Sequence, residues 1–161
     1  MLESDDEEPI PAPTLLDTVA NFFDQENWPY VRVPQESALT LAFKGEQGRW
    51  NCYAKTDESQ RQVIFYSFCP VQASPERRLG VAEFLTRANY GLIIGNFELD
   101  FGDGEIRYKT SLDVEGNRLT PAFVKQLVYA NVLTFDKYLP GILAVMEGMN
   151  LPEDAIAAVE P

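Results

Sequence analysis

The chain has 161 residues, 45% hydrophobic and 24% charged, a balance suited to one domain with a single substantial core. Its 25 acidic and 13 basic residues leave a formal charge of −12, which disfavours nonspecific contact with nucleic acid or an anionic membrane. Histidine is absent, which excludes Ser-His-Asp and Cys-His triads, His-ligated metals and imidazole bases.

Residues 1–12 hold Glu3, Asp5, Asp6, Glu7 and Glu8 with no base, so this stretch is expected to be a disordered acidic tail. It lacks a basic segment followed by an apolar one, and no apolar run of about 18 residues occurs anywhere. The expectation is a soluble, cytoplasmic protein without a membrane contact. One domain is expected over residues 13–150, with 151–161 as a tail or short helix.

Thr14 can cap a helix running to about Glu26, with Leu15, Leu16, Val19, Phe22 and Phe23 forming its core stripe. Asn27-Trp28-Pro29 ends it. Tyr30–Val33 reads as a short strand closed by Pro34. Ala38–Lys44 alternates, with Leu39, Leu41 and Phe43 on one face. A two-residue turn at Glu46-Gln47 would set Phe43 opposite Trp50 and Leu41 opposite Cys52 in the next strand, Arg49–Thr56. Gln62–Phe68 is apolar on both faces, which predicts a central strand, or one covered on both sides. Cys52 and Cys69 fall in strand-like runs without CxxC spacing and read as small buried hydrophobes.

Ser74-Pro75-Glu76 carries the signature of a helix start. Leu79, Ala82, Leu85 and Ala88 then mark an apolar face, and Glu83 and Arg87 stand four apart with the acid first. Asn89 and Gly91 sit where the pattern stops, and Gly91 supplies a left-handed end. From Ile93 the period becomes two, with Ile93, Gly95, Phe97, Leu99 and Phe101 on one side. Asp103-Gly104 predicts a two-residue hairpin turn pairing Phe101 with Ile106, Leu99 with Tyr108 and Phe97 with Thr110. That register places Asp100 against Arg107 and Glu98 against Lys109.

After a polar loop at Asp113–Leu119, Thr120-Pro121 opens the longest helix. Phe123, Val124, Leu127, Val128, Asn131, Phe135, Tyr138, Leu139, Ile142 and Val145 exceed one narrow stripe, so this helix is deeply buried or meets a second surface. Pro140-Gly141 is expected to kink or end it. Leu151–Val159 reads as a short terminal helix. The order α-β-β-β-α-β-β-α predicts an α+β fold: an antiparallel sheet of about five strands with flanking helices.

The catalytic motifs are weak. Asp100-Phe101-Gly102 spells the kinase magnesium tripeptide, but no glycine-rich loop or H-R-D loop accompanies it. Glu98 and Asp100 share a strand face with bases opposite, so they read as ion pairs; with Asp113 and Glu115 they form the one conceivable carboxylate set for a metal-dependent enzyme. Gly91-x-x-x-Gly95 matches no nucleotide fingerprint, and Gly95 marks a bulge or a close packing contact. No cofactor or metal is expected. The positive signal is surplus apolar surface: Val81 and Phe84 lie beside the helix's core stripe, and Phe135, Tyr138 and Ile142 belong to the crowded last helix.

The run Phe84-Leu85-x-x-Ala88-Asn89-x-x-Leu92-x-x-Gly95-x-Phe97-Glu98 continues into Gly104-x-Ile106-x-Tyr108 and the Leu119-Thr120 helix start. It resembles the YbjN family over most of residues 14–140. The resemblance implies a fold like the type III secretion chaperones, an antiparallel sheet flanked by helices and commonly a homodimer. Chaperones of that shape are small and acidic and hold partner polypeptides across apolar patches, whereas the family is described as sensory-transduction regulators with no established activity. The leading expectation is a non-enzymatic, chaperone-like or regulatory protein-binding module, acting as a homodimer with a protein or peptide partner. Its contact residues would be Val81, Phe84, Phe135, Tyr138 and Ile142, while Asn89, Gly91, Gly95, Asp103 and Gly104 serve the fold. The alternatives are a small-ligand sensor with a pocket between helix and sheet, and the metal-dependent carboxylate enzyme.

Overall fold

A computed structural model describes residues 8–161; most of the acidic stretch expected to be disordered lies outside the described residues. The elements run α1 (Leu15–Gln25), β1 (Tyr30–Arg32), β2 (Ala38–Lys44), β3 (Arg49–Asp57), β4 (Gln62–Phe68), α2 (Arg78–Asn89), β5 (Asn96–Leu99), β6 (Ile106–Asp113), α3 (Pro121–Met146) and α4 (Pro152–Val159). All strand pairs are antiparallel, in the order β1-β2-β3-β4-β6-β5. The sheet has six strands rather than about five, because Tyr30–Arg32 joins as an edge.

Local chemistry accounts for the first half. The Thr14 hydroxyl accepts from the Asp17 N–H and the Asp17 carboxylate accepts from the Thr14 N–H, a reciprocal cap that sets the start of α1. Leu15, Leu16, Val19, Phe22 and Phe23 are all buried, as their spacing predicts. The β2–β3 turn is the two-residue one: the Gly45 N–H donates to Gly48 O at 2.8 Å, Phe43 pairs with Trp50 and Leu41 with Cys52. β4 lies inside the sheet, between β3 and β6. It is buried on one face only, through Val63, Phe65 and Ser67, while Ile64, Tyr66 and Phe68 are half-buried on the other.

α3 starts at Pro121 behind the Thr120 cap and runs through Pro140 to Met146 without ending. It packs on β4 and β6, and α1, α2 and α4 also contact it, which explains why its apolar residues exceed one stripe. Phe123 is the exception: it is exposed in the first turn. Within the interface Asn131 is fully buried, and its amide donates to Phe65 O (2.9 Å), Tyr108 O (3.1 Å) and Thr110 Oγ1 (3.3 Å). Its carbonyl accepts from the Ser67 hydroxyl at 2.6 Å, and Ser67 in turn accepts from Trp50 Nε1. One polar side chain thus ties α3 to β4 and β6, with its hydrogen-bonding atoms satisfied.

Two expectations about the middle of the chain need correction. Ser74–Arg77 forms a turn, with the Arg77 N–H donating to Ser74 O, and α2 begins only at Arg78 without a side-chain cap. Its buried face is Val81, Phe84, Leu85 and Ala88, while Leu79 is 77% exposed. The helix is rolled because α3 and α4 both pack on it: the Phe84 ring abuts Gly141 of α3, and Gly80 faces Val145 and Pro152.

Within the paired residues Asn96–Leu99 the hairpin keeps its faces but not its register, and Phe101, expected opposite Ile106, is exposed. Phe97 pairs with Tyr108 and Leu99 with Ile106, a shift of two residues from the Asp103-Gly104 turn. Because side chains alternate with period two, a slip of two leaves the buried side buried. The connection is longer, Asp100–Glu105, with Asp100 Oδ1 accepting from the Gly102 N–H (2.7 Å) and Asp103 Oδ1 from the Glu105 N–H (2.9 Å). Gly104 holds φ at +81°, and its carbonyl accepts from the Ala73 N–H at 2.9 Å. That contact with the segment before α2 is a distant constraint which a local turn rule does not contain.

Candidate interaction surfaces

The five side chains read as contact residues converge, but inward. Val81, Phe84, Phe135 and Ile142 are 0% exposed and Tyr138 is 3%. Phe84 meets Tyr138 edge-on with ring centroids 6.4 Å apart, and Phe97 joins Tyr138 at 5.5 Å. α4 closes over this cluster: Val159 approaches Gly141, and the Tyr138 hydroxyl bonds the Glu160 carboxylate. The surplus on α2 and α3 is therefore the core of a helix-on-helix layer, not a free patch.

The acidic residues are dispersed. Glu98 lies 3.7 Å from Lys109 Nζ, the expected ion pair, and also accepts from Arg107 Nε at 3.1 Å in place of the expected Asp100. Asp100 and Asp113 are spent on turns, accepting from the Gly102 and Glu115 N–H groups. Among the described residues no group of three or more Cys, Asp or Glu could hold a metal ion. No helix among them is long and apolar enough to cross a membrane.

Asn89 Nδ2 donates to Phe97 O (3.1 Å) and its Oδ1 accepts from the Phe97 N–H (2.7 Å), on the side of β5 facing away from β6. Gly91 holds φ at +91°. Gly95 is a close packing contact: at φ +80° a side chain there would meet Lys109 O at 2.6 Å and the Tyr108 hydroxyl at 2.7 Å. Asp103 and Gly104 build the β5–β6 connection described above.

Exposed apolar side chains stand elsewhere. Tyr90 is 91% exposed, Ile93 96% and Ile94 56%, all in the link from α2 to β5; Leu79 and Phe101 are exposed at the other end of α2 and β5. Residues 88–97 contain no charge, in a chain that carries −12. The segment is held in place: the Leu92 N–H donates to Asn89 O at 3.2 Å, the Tyr108 hydroxyl bonds Ile94 O, and Asn89 fixes Phe97. An ordered backbone thus presents isoleucines to water. The alternation from Ile93 contains this signal, but alternation alone assigns Ile93 to the buried side.

Two further features complete the surface. A groove of about 910 Å³ runs between the β2–β3 turn, the second half of α3, and α4, lined by Phe43, Leu133, Lys137, Ala144 and Val159. At its floor the Asp136 carboxylate accepts from the Glu46 and Gln47 N–H groups, each at 2.9 Å. The sheet face opposite the helices carries Tyr53, Ile64, Tyr66 and Phe68, all half-buried, with the Arg107 guanidinium 4.4 Å from the Tyr66 ring centre.

A search of curated proteins finds no match. Among solved structures, YbjN from E. coli is similar with TM-score 0.59 and 16% identity, over 86% of this chain and 91% of that one. The ExsC–ExsE complex contains a chain similar at TM-score 0.52 and 11% identity, over 78% and 90% respectively. At these identities the likeness is one of fold, and it agrees with the type III secretion chaperone-like α+β architecture. A family model described as "Putative bacterial sensory transduction regulator" matches residues 15–144. That span runs from the first residue of α1 almost to the end of α3 and takes in every strand, so the chain belongs to the YbjN family.

Proposed function

We propose that this is a cytoplasmic, non-enzymatic protein-binding module, chaperone-like or regulatory, that works as a homodimer. The observation that carries the reading is the ordered, uncharged apolar segment Tyr90–Ile94 held out beside the edge strand β5. A two-fold contact sets a patch against its own copy, so a patch with an excess of one sign of charge meets the same excess. On an acidic chain, a charge-free apolar patch is the surface best able to pair with itself. ExsC, of the same fold, is known in complex with ExsE, which accords with a role in holding another protein.

Light scattering on the full chain tests the dimer. Twice the chain mass is expected, falling to the monomer for Ile93→Asp/Ile94→Asp with an unchanged circular dichroism spectrum. A wild-type protein that stays monomeric at high micromolar concentration overturns it. A second reading, a small-ligand sensor, is favoured by the groove over Asp136; it requires a thermal-shift hit from a ligand library that Leu133→Trp abolishes.

A further inference from the structure

The sheet face away from the helices differs in charge from the rest of the molecule. Strand register places Lys44, Arg49, Lys55, Arg107 and Lys109 on it, five of the chain's 13 cations. Of the 25 acids only Asp57, Glu98 and Asp113 share that face within the strands. The cations alternate with aromatics across neighbouring strands: Tyr53 pairs with Tyr66, Tyr66 with Lys109 and Phe68 with Arg107. Tyr66 and Phe68 lie 5.9 Å apart, and they are half-buried by one another and by Arg107. No helix among the described residues packs there; every helix that contacts a strand does so on the buried side.

The sheet edges are poor places for an added strand. Asn89 already occupies the outward N–H and C=O of Phe97 on β5. At the other edge β1 is three residues long, between Pro29 and Pro34. A partner that meets this sheet therefore does so through side chains on the open face rather than as an added edge strand.

We propose that this face is a docking surface for an acidic, aromatic-bearing segment of a partner protein. It rests on the protein-binding reading but uses a different surface from Tyr90–Ile94. Carboxylates of the segment would meet Arg107, Lys109 and Lys55, and its rings would lie on Tyr66 and Phe68. A second copy set face to face would oppose the same cations. A nucleic acid would carry its charge past the edge of the face, against a body at −12.

Random dodecapeptides displayed on phage, selected against the full chain, test this. Enriched peptides should combine Asp or Glu with Phe, Tyr or Trp. They should bind Arg107→Gln/Lys109→Gln at least about tenfold more weakly, with Lys109→Gln alone, which keeps the Arg107–Glu98 pair, losing less. Ile93→Asp/Ile94→Asp should bind them as wild type does, so a failed dimer and a failed docking face are distinguishable. Enrichment of peptides lacking acids, no enrichment at all, unchanged binding to the double variant, or tighter binding of an oligothymidylate overturns the proposal.

Discussion

The side chain of Asn89, at the end of α2, makes the two hydrogen bonds that a neighbouring strand would make to Phe97 of β5: it donates to the carbonyl at 3.1 Å and accepts from the N–H at 2.7 Å. An edge strand is thereby closed by a helix terminus. Asn89→Ala should cost about 1–3 kcal/mol, because the Phe97 N–H loses its partner and the Phe97 carbonyl keeps only the longer contact from Asn96 Nδ2. Urea denaturation measures the loss. Hydrogen exchange at the Phe97 amide should accelerate, and β-rich aggregation on storage should increase.

Asn131 is the polar bolt between α3 and the sheet. Asn131→Leu has a similar volume but removes the acceptor of the buried Ser67 hydroxyl and the side-chain donor that Phe65 O and Tyr108 O hold in addition to their strand pairing. The expected cost is about 2–4 kcal/mol, well above an ordinary surface change. A loss below about 1 kcal/mol in chemical denaturation would show that water reaches the network.

Phe84 separates a core role from a contact role. Its ring is fully buried against Gly141 and Tyr138. Phe84→Ala should therefore lower stability by about 3–5 kcal/mol, read by thermal melting. A variant that melts like wild type yet loses a bound protein would instead place Phe84 at an interface.

Asp136 ties α3 to the β2–β3 turn. Asp136→Ala removes both acceptors from the Glu46 and Gln47 N–H groups, with an expected cost of about 1–3 kcal/mol. Exchange of those two amides should speed up more than that of β4.

Alkaline pH should unfold the protein. Burial pushes the Cys52 thiol from its ordinary 9.0 up to about 12 and the Cys69 thiol up to about 11. The hydrogen bond to Glu36, with burial second, raises Tyr53 from 10.0 to about 12. In each case the unfolded chain releases its proton at lower pH than the folded one, so it binds fewer protons and stability falls as pH rises. The contribution is fully present below about pH 9 and is lost across roughly pH 9–12. Denaturation midpoints across that range measure it, and Tyr53→Phe should reduce the slope above about pH 10. At neutral pH both thiols should react slowly with a disulfide reagent until the chain is unfolded.

The residues themselves determined whatever depends on near neighbours. The Thr14 cap, the Glu46-Gln47 turn with its register, the α3 start at Thr120-Pro121 and the two-sided faces of the strands all rest on contacts within a few residues. The tertiary structure decided which apolar faces are covered. Val81 and Phe84 lie inside where α3 and α4 pack on α2, and the hairpin register differs by two residues, with Gly104 in its connection bonded to the distant Ala73. The same holds at the surface, where Ile93 alternates like a core residue and stands in water, while Tyr66 and Lys109 share a face that no helix covers. Periodicity records that a side chain is apolar; only the arrangement of distant elements determines what, if anything, lies against it.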